Sequence, residues 1–128
     1  WGNVCQWLDG VNINNNQAWV CRNAEEYASN VFAAPYERLS YVCANTNGWA
    51  KQLGFNPDHP FAMLPIDSGG SGSTYYCDSY YQNTGQRVAQ VGGRWADGSY
   101  AGLSYWDLGA SASGANSSVG GRLLKKPL

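Results

Sequence analysis

Charge is scarce in this 128-residue chain: eight Lys and Arg stand against nine Asp and Glu, 13% of the residues, for a net charge of −1. Such a balance generates no long-range field to draw in a phosphate backbone or an anionic lipid, so neither nucleic acid nor membrane is an expected partner. No apolar run approaches the roughly 18–20 residues that a helical membrane span requires. Histidine and methionine occur once each, at His59 and Met63. A lone histidine between Asp58 and Pro60 gives little to a Ser-His-Asp or Cys-His arrangement and reads as a solvated loop side chain. Cys5, Cys21, Cys43 and Cys77 are too widely separated for a zinc site. Their apolar neighbourhoods favour small buried thiols over a disulfide frame. We therefore expect no metal, no cofactor and no enzyme chemistry.

What replaces charge is glycine and aromatic surface: 44% of the residues are hydrophobic, 16 are Gly, nine Tyr and six Trp. A chain of this length removes roughly two-thirds of its surface from water on folding, enough for one core, and residues 1–128 are expected to form a single domain. Because the sequence starts at Trp1 and its only Met is Met63, we expect it to be the C-terminal part of a longer protein.

Along the chain, Val4 to Leu8 reads as a strand closed by Asp9-Gly10, Asn12 to Asn16 as a polar loop and Ala18 to Cys21 as a short apolar run. Asn23 before Ala24-Glu25-Glu26 has the form of a helix N-cap, with Tyr27, Ala28, Val31 and Phe32 at helical spacing until Pro35. Leu39 to Cys43 is β-like, and Asn47 can cap a second helix through Trp49 and Leu53, stopped by Gly54. Beyond the Ser68–Ser73 loop the character changes. Tyr75 to Tyr81, Arg87 to Val91, Trp95, Leu103 to Leu108 and Arg122 to Leu124 carry β signals, with a turn at Asn83-Thr84-Gly85. Two early helices and a β-rich second half predict an α+β fold.

Eight of the glycines lie between Val91 and Gly121, among Ser, Ala, Tyr, Trp, Asp and Asn. The stretch has too few large aliphatics to be core. Its mixture is that of a paratope, in which rigid amphipathic anchors stand among adaptable hydrogen-bonding groups. Composition weighs such a display surface evenly against a polar, loop-rich β region.

The run Val91-Gly92-Gly93-Arg94-Trp95-x-x-Gly98-x-x-Ala101-Gly102, then Tyr105-Trp106-x-Leu108 and Gly120-Gly121-Arg122-Leu123-Leu124, resembles the C-terminal signature of C-type-lectin-like domains. The branch it is similar to is that of phage and prophage receptor-binding proteins diversified by retroelements. The upstream phrases Trp7–Asn12 and Tyr80–Ala89 resemble the same group. The resemblance implies two helices flanking small antiparallel sheets, with the N- and C-terminal strands paired. It implies that Gly92, Gly93, Trp95, Gly102, Leu108, Gly120, Gly121, Arg122 and Leu123 are scaffold. Arg94, Ala96, Asp97, Ser99, Tyr100, Ser104, Tyr105, Trp106, Asp107 and Asn116 are then the expected ligand-binding residues, with Ala110, Ser113, Ala115 and Ser118 beside them.

The function so implied is a non-enzymatic display domain on a phage tail or capsid that binds a bacterial surface receptor, protein or glycan. Partners would include other virion subunits and copies of itself, most naturally as a trimer. In this reading Tyr100, Tyr105 and Trp106 are aromatic anchors, so that replacing Tyr105 and Trp106 together removes attachment without loss of folding. Two other readings stand beside it. One is a virion decoration module that binds neighbouring subunits. The other is a calcium-dependent sugar-binding lectin, for which Asn56-Pro57-Asp58 and Trp95-Ala96-Asp97 are imperfect versions of the usual triplets, Ala96 lacking the amide oxygen. Formylglycine-generating enzymes share the expected fold, but their chemistry needs reactive thiols in the C-terminal part, where nothing follows Cys77. Asp97 and Asp107 could pose as a carboxylate pair, yet a turn and a strand usually hold such acids for hydrogen bonding.

Overall fold

The computed structural model describes residues 3–121. Among the described residues nine strands form one sheet: β1 (Cys5–Asn14), β2 (Gln17–Val20), β3 (Glu37–Val42), β4 (Gly48–Leu53), β5 (Pro65–Gly69), β6 (Ser79–Gln82), β7 (Gln86–Val91), β8 (Trp106–Leu108) and β9 (Val119–Gly120). Their order is β3-β2-β1-β7-β8-β6-β4-β5, with β9 parallel to the start of β1 through Cys5 and Gln6. Among the described residues the only helical pieces are 3-10 turns at Ala24–Glu26 and Trp95–Tyr100. The expected α+β fold with two flanking helices is therefore incorrect. The chain is mostly β.

Each missing helix has a local cause. Asn23 does cap, its Oδ1 accepting the Glu25 N–H at 3.2 Å, but the chain turns extended at Tyr27. About ten residues before Pro35 are too few for a helix to hold itself without a deep apolar face. The backbone groups such a helix needs are taken elsewhere. Asn12 Nδ2 donates to the Ala28 and Val31 carbonyls at 2.8 and 3.2 Å, and the Ala28 N–H donates to Tyr36 Oη at 2.9 Å. In the second stretch, Trp49 and Leu53 suit helical spacing, but Trp49, Lys51 and Leu53 also alternate, and strand pairing prevails. Gly48 and Trp49 pair with β6, and Trp49 to Leu53 pair with β5. Asn47 caps no helix; its Oδ1 accepts the Gln82 N–H at 2.9 Å across the sheet.

The loop expected at Asn12–Asn16 is shorter than that. Asn12 to Asn14 belong to β1, and only Asn15 and Asn16 form the turn to β2, both with positive φ (46° and 66°). Two central residues in the left-handed region suit the right-handed twist of a hairpin, and Asn tolerates that region best after Gly.

Period-2 alternation sends Val11, Ile13, Ala18, Val20, Leu39, Leu64, Tyr80, Ala89 and Leu108 into one core. Around it the sheet curls until its edge strands meet. The Ala44 N–H donates to the Pro65 carbonyl at 3.0 Å. Tyr41 Oη accepts the Leu64 N–H at 3.2 Å and donates to the Ala62 carbonyl. Opposite this closure lies a narrow seam: three-residue β8 is the sole strand between β7 and β6. At the end of the barrel, Asn16 Nδ2 donates to the Ala44 carbonyl at 3.1 Å and to Gln82 Oε1 at 2.8 Å, while Tyr80 Oη donates to the same Ala44 carbonyl at 2.7 Å.

His59 is not solvated as expected. It is buried, with Nε2 2.8 Å from Glu37 Oε2. All four cysteines are free, three of them buried and Cys77 half-buried. Burial pushes the Cys43 thiol up to about 12 and raises that of Cys5 as well.

Two outcomes follow from this arrangement. Asn16→Ala loses one buried and one partly buried hydrogen bond and puts alanine, which lacks Asn's tolerance of the left-handed region, at positive φ, so urea unfolding should report a loss of about 2–4 kcal/mol; a loss under about 0.5 kcal/mol would contradict this account of the closure. In the native protein a thiol-alkylating reagent should modify Cys77 first, by mass spectrometry, with Cys43 modified only on unfolding.

Candidate surface cleft

Neighbouring strands β6 and β8 run parallel, pairing Tyr80 with Trp106 and Tyr81 with Asp107. Since Tyr80 and Leu108 point into the core, alternation turns Ser79, Tyr81 and Asp107 to the outer face. The segment from Gly92 to Tyr105 leaves the end of β7 and folds over that face. Its path depends on Gly93, at φ +73°, whose added Cβ would stand 2.8 Å from Ala101 Cα. No L side chain fits there without moving the returning chain.

The result is a cleft of about 390 Å³ lined by Ser79, Tyr81, Arg94, Asp97, Tyr100, Tyr105 and Asp107. Five of the ten sequence-selected residues meet here: Arg94, Asp97, Tyr100, Tyr105 and Asp107. Arg94 and Asp97 hold each other in a capping box, Asp97 Oδ2 accepting the Arg94 N–H at 2.8 Å and Oδ1 accepting Arg94 Nε–H at 3.1 Å. Tyr100 is half exposed and leans on Trp49, ring centroids 5.7 Å apart at 53°. Asp107 Oδ1 accepts the Gly109 N–H at 2.7 Å. Burial raises the Asp107 carboxyl above its ordinary range; the Gly109 hydrogen bond and the nearby Arg94 oppose the shift, and Asp97 adds to it.

The other selected residues lie elsewhere. Ala96 and Ser99 sit exposed on the outer turn. The Ser104 N–H is tied to Asp78 Oδ2 at 2.6 Å. Trp106 packs inward against the core. Asn116 is exposed, its Oδ1 accepting the Ser118 N–H at 2.8 Å in a local turn. Tyr105, although it lines the cleft, is only 5% exposed beside Cys5, and burial pushes its phenol well up. Tyr105 and Trp106 are thus not freely displayed anchors, and the expectation that both can be removed without harm to folding is corrected. Comparison with family models, with curated proteins and with solved structures finds no match to this chain. The site rests on its own geometry.

Of the expected scaffold, Leu108 is fully buried and Gly120 pairs with Gln6. Trp95 is not core: it is 70% exposed, because the chain enters a 3-10 turn there instead of continuing as a strand. Arg122 and Leu123 lie outside the described residues. Asn56-Pro57-Asp58 forms a turn, Asp58 N–H donating to Asn56 Oδ1 at 3.0 Å, and does not line the cleft that holds Asp97. Sequence reasoning missed Ser79 and read Tyr81 only as part of a β run. The alternation Ser79-Tyr80-Tyr81, with Tyr80 inward, was the signal that placed both outside.

Tyr105→Ala should cost about 3–5 kcal/mol in denaturant unfolding, as a large buried aromatic does, and Trp106→Ala, partly buried against the core, about 2–4 kcal/mol. Asp107→Asn should act oppositely. A carboxyl whose folded pKa is raised adds stability while protonated, below its unfolded pKa, and loses that contribution as pH rises through the folded pKa. The melting-temperature advantage of Asp107→Asn over wild type should therefore grow from acid to neutral pH. A constant or reversed difference would contradict the burial of this charge.

Proposed function

We propose that this chain is a non-enzymatic binding domain whose cleft over the β6/β8 seam takes a ligand on a bacterial surface. The observation that carries the reading is the convergence of Arg94, Asp97, Tyr100, Tyr105 and Asp107 on one cleft, residues that sequence reasoning had selected for display. The chemistry suits recognition. Arg94 and Asp97 are pre-organised by their mutual hydrogen bonds, and tyrosines give contact area at low ordering cost. The cleft is a concave, partly open site lined by aromatic rings, hydroxyls and planar charged groups, which favours a glycan ligand over a flat protein epitope. A single small site of this kind binds weakly, and repetition in a homo-oligomer, a trimer in this proposal, strengthens attachment through effective concentration. The virion setting is supported by the motif resemblance of residues 91–124 alone.

The test is retention of the purified chain on a panel of bacterial envelope preparations. Wild type should be held by at least one, and Tyr100→Ala and Arg94→Ala should each reduce retention by about tenfold or more with little change in melting temperature. Equal retention of these variants, or retention by no envelope, would remove the cleft from this role.

A further inference from the structure

We infer that the group seated in the cleft is the protonated primary amine of an amino sugar; this deepens the reading above and rests on it. The lining carries one guanidinium and two carboxylates, so its balance is one negative charge. Arg94 does not neutralise the surplus at its nearest nitrogen, because Arg94 Nε is engaged by Asp97 Oδ1, and Asp97 Oδ2 is engaged by the Arg94 backbone. Asp107 has one oxygen on the Gly109 N–H, and no salt bridge reaches it among the described residues. An only partly satisfied carboxylate, half-buried in a cleft that Tyr81, Tyr100 and Tyr105 also line, is a cation's environment.

Other ligand charges fit worse. An anion would meet the Asp107 carboxylate, and Arg94 already shares its charge with Asp97 through Nε. A neutral group would leave the partly buried charge of Asp107 without a counter-charge. A quaternary ammonium has no N–H to give Asp107 or the Ser79 hydroxyl, whereas a primary ammonium has three donors. The sugar ring follows from what remains. The outer nitrogens of Arg94 and the Ser79 hydroxyl call for hydroxyl partners, and tyrosine rings suit the C–H faces of a pyranose. An extended lysine side chain supplies neither.

The backbone is shaped for this juxtaposition. At Gly109 an added Cβ would run into the Tyr81 ring and lie 3.0 Å from Asp107 Oδ1, so glycine lets ring and carboxylate stand side by side. Amine binding should also have a pH window. On the acid side it fails as Asp107 takes up its proton, in the field of Asp97, Arg94 and the tyrosines around it. On the alkaline side it fails as the amine loses its own.

The experiment is calorimetric titration of the full chain with glucosamine, N-acetylglucosamine and Nα-acetyl-lysine amide. Glucosamine should bind about tenfold or more tightly than N-acetylglucosamine. Asp107→Asn should abolish that preference without a fall in melting temperature, and Tyr81→Leu should weaken it. Equal binding of the two sugars, no binding of glucosamine, or a preference that survives Asp107→Asn would overturn the inference; tighter binding of the lysine derivative would overturn its sugar ring. The failures are separable. If Tyr100→Ala loses envelope retention while the amine preference is absent, the cleft stands and the amine falls. If Tyr100→Ala and Arg94→Ala keep envelope retention, the cleft falls whatever the titrations read.

Discussion

The fold depends on the amide of Asn16. One buried side chain, set in a left-handed turn, donates to a carbonyl just beyond β3 and to a side chain of β6, and so ties together parts of the sheet that lie far apart in strand order. A nine-strand sheet of short strands has much edge and little thickness, and left open it would expose one row of unpaired backbone on each side. Curling brings those rows together at Ala44 and Pro65, and Tyr41 and Tyr80 complete the closure with their hydroxyls. Neutral amides and phenols do this work where charges would have to be desolvated, which explains how a chain with so little charge can satisfy its interior.

With the barrel closed, the outer face over β6 and β8 becomes a fixed floor, and the Gly92–Tyr105 segment becomes its cover. The cleft therefore combines two kinds of rigidity. Ser79, Tyr81 and Asp107 stand on paired strands, and Arg94 and Asp97 hold one another at the entrance to a short turn. Tyr100 leans out and is braced by Trp49. Recognition residues placed on regular elements are held more closely than those on free loops.

Much of the strand content was legible in the sequence, because β2, β3 and β7 have clear alternation or β-branched runs and the turn at Asn83–Gly85 has unambiguous chemistry. The helices were misread for physical reasons. Asn23 and Asn47 satisfy backbone donors equally well in a short turn or across a sheet, so a capping residue without a long apolar face behind it does not distinguish the two. The site was half legible. Asp97, Tyr100 and Asp107 were singled out by the motif resemblance, but whether Tyr105 and Trp106 face in or out is decided by β8 pairing with β6, a contact between distant segments that local pattern does not encode.

The three-residue strand β8 has one more consequence. It is the single rivet on its side of the barrel between two half-sheets, β3-β2-β1-β7 and β6-β4-β5, and Asp107 is its middle residue. A ligand gripping Asp107, Tyr81 and the covering segment at once would act as a second rivet over the same joint. Occupancy of the cleft and resistance of the barrel to splitting along that joint then become a single quantity, so that a load pulling on the bound ligand is borne by a seam the ligand itself has reinforced.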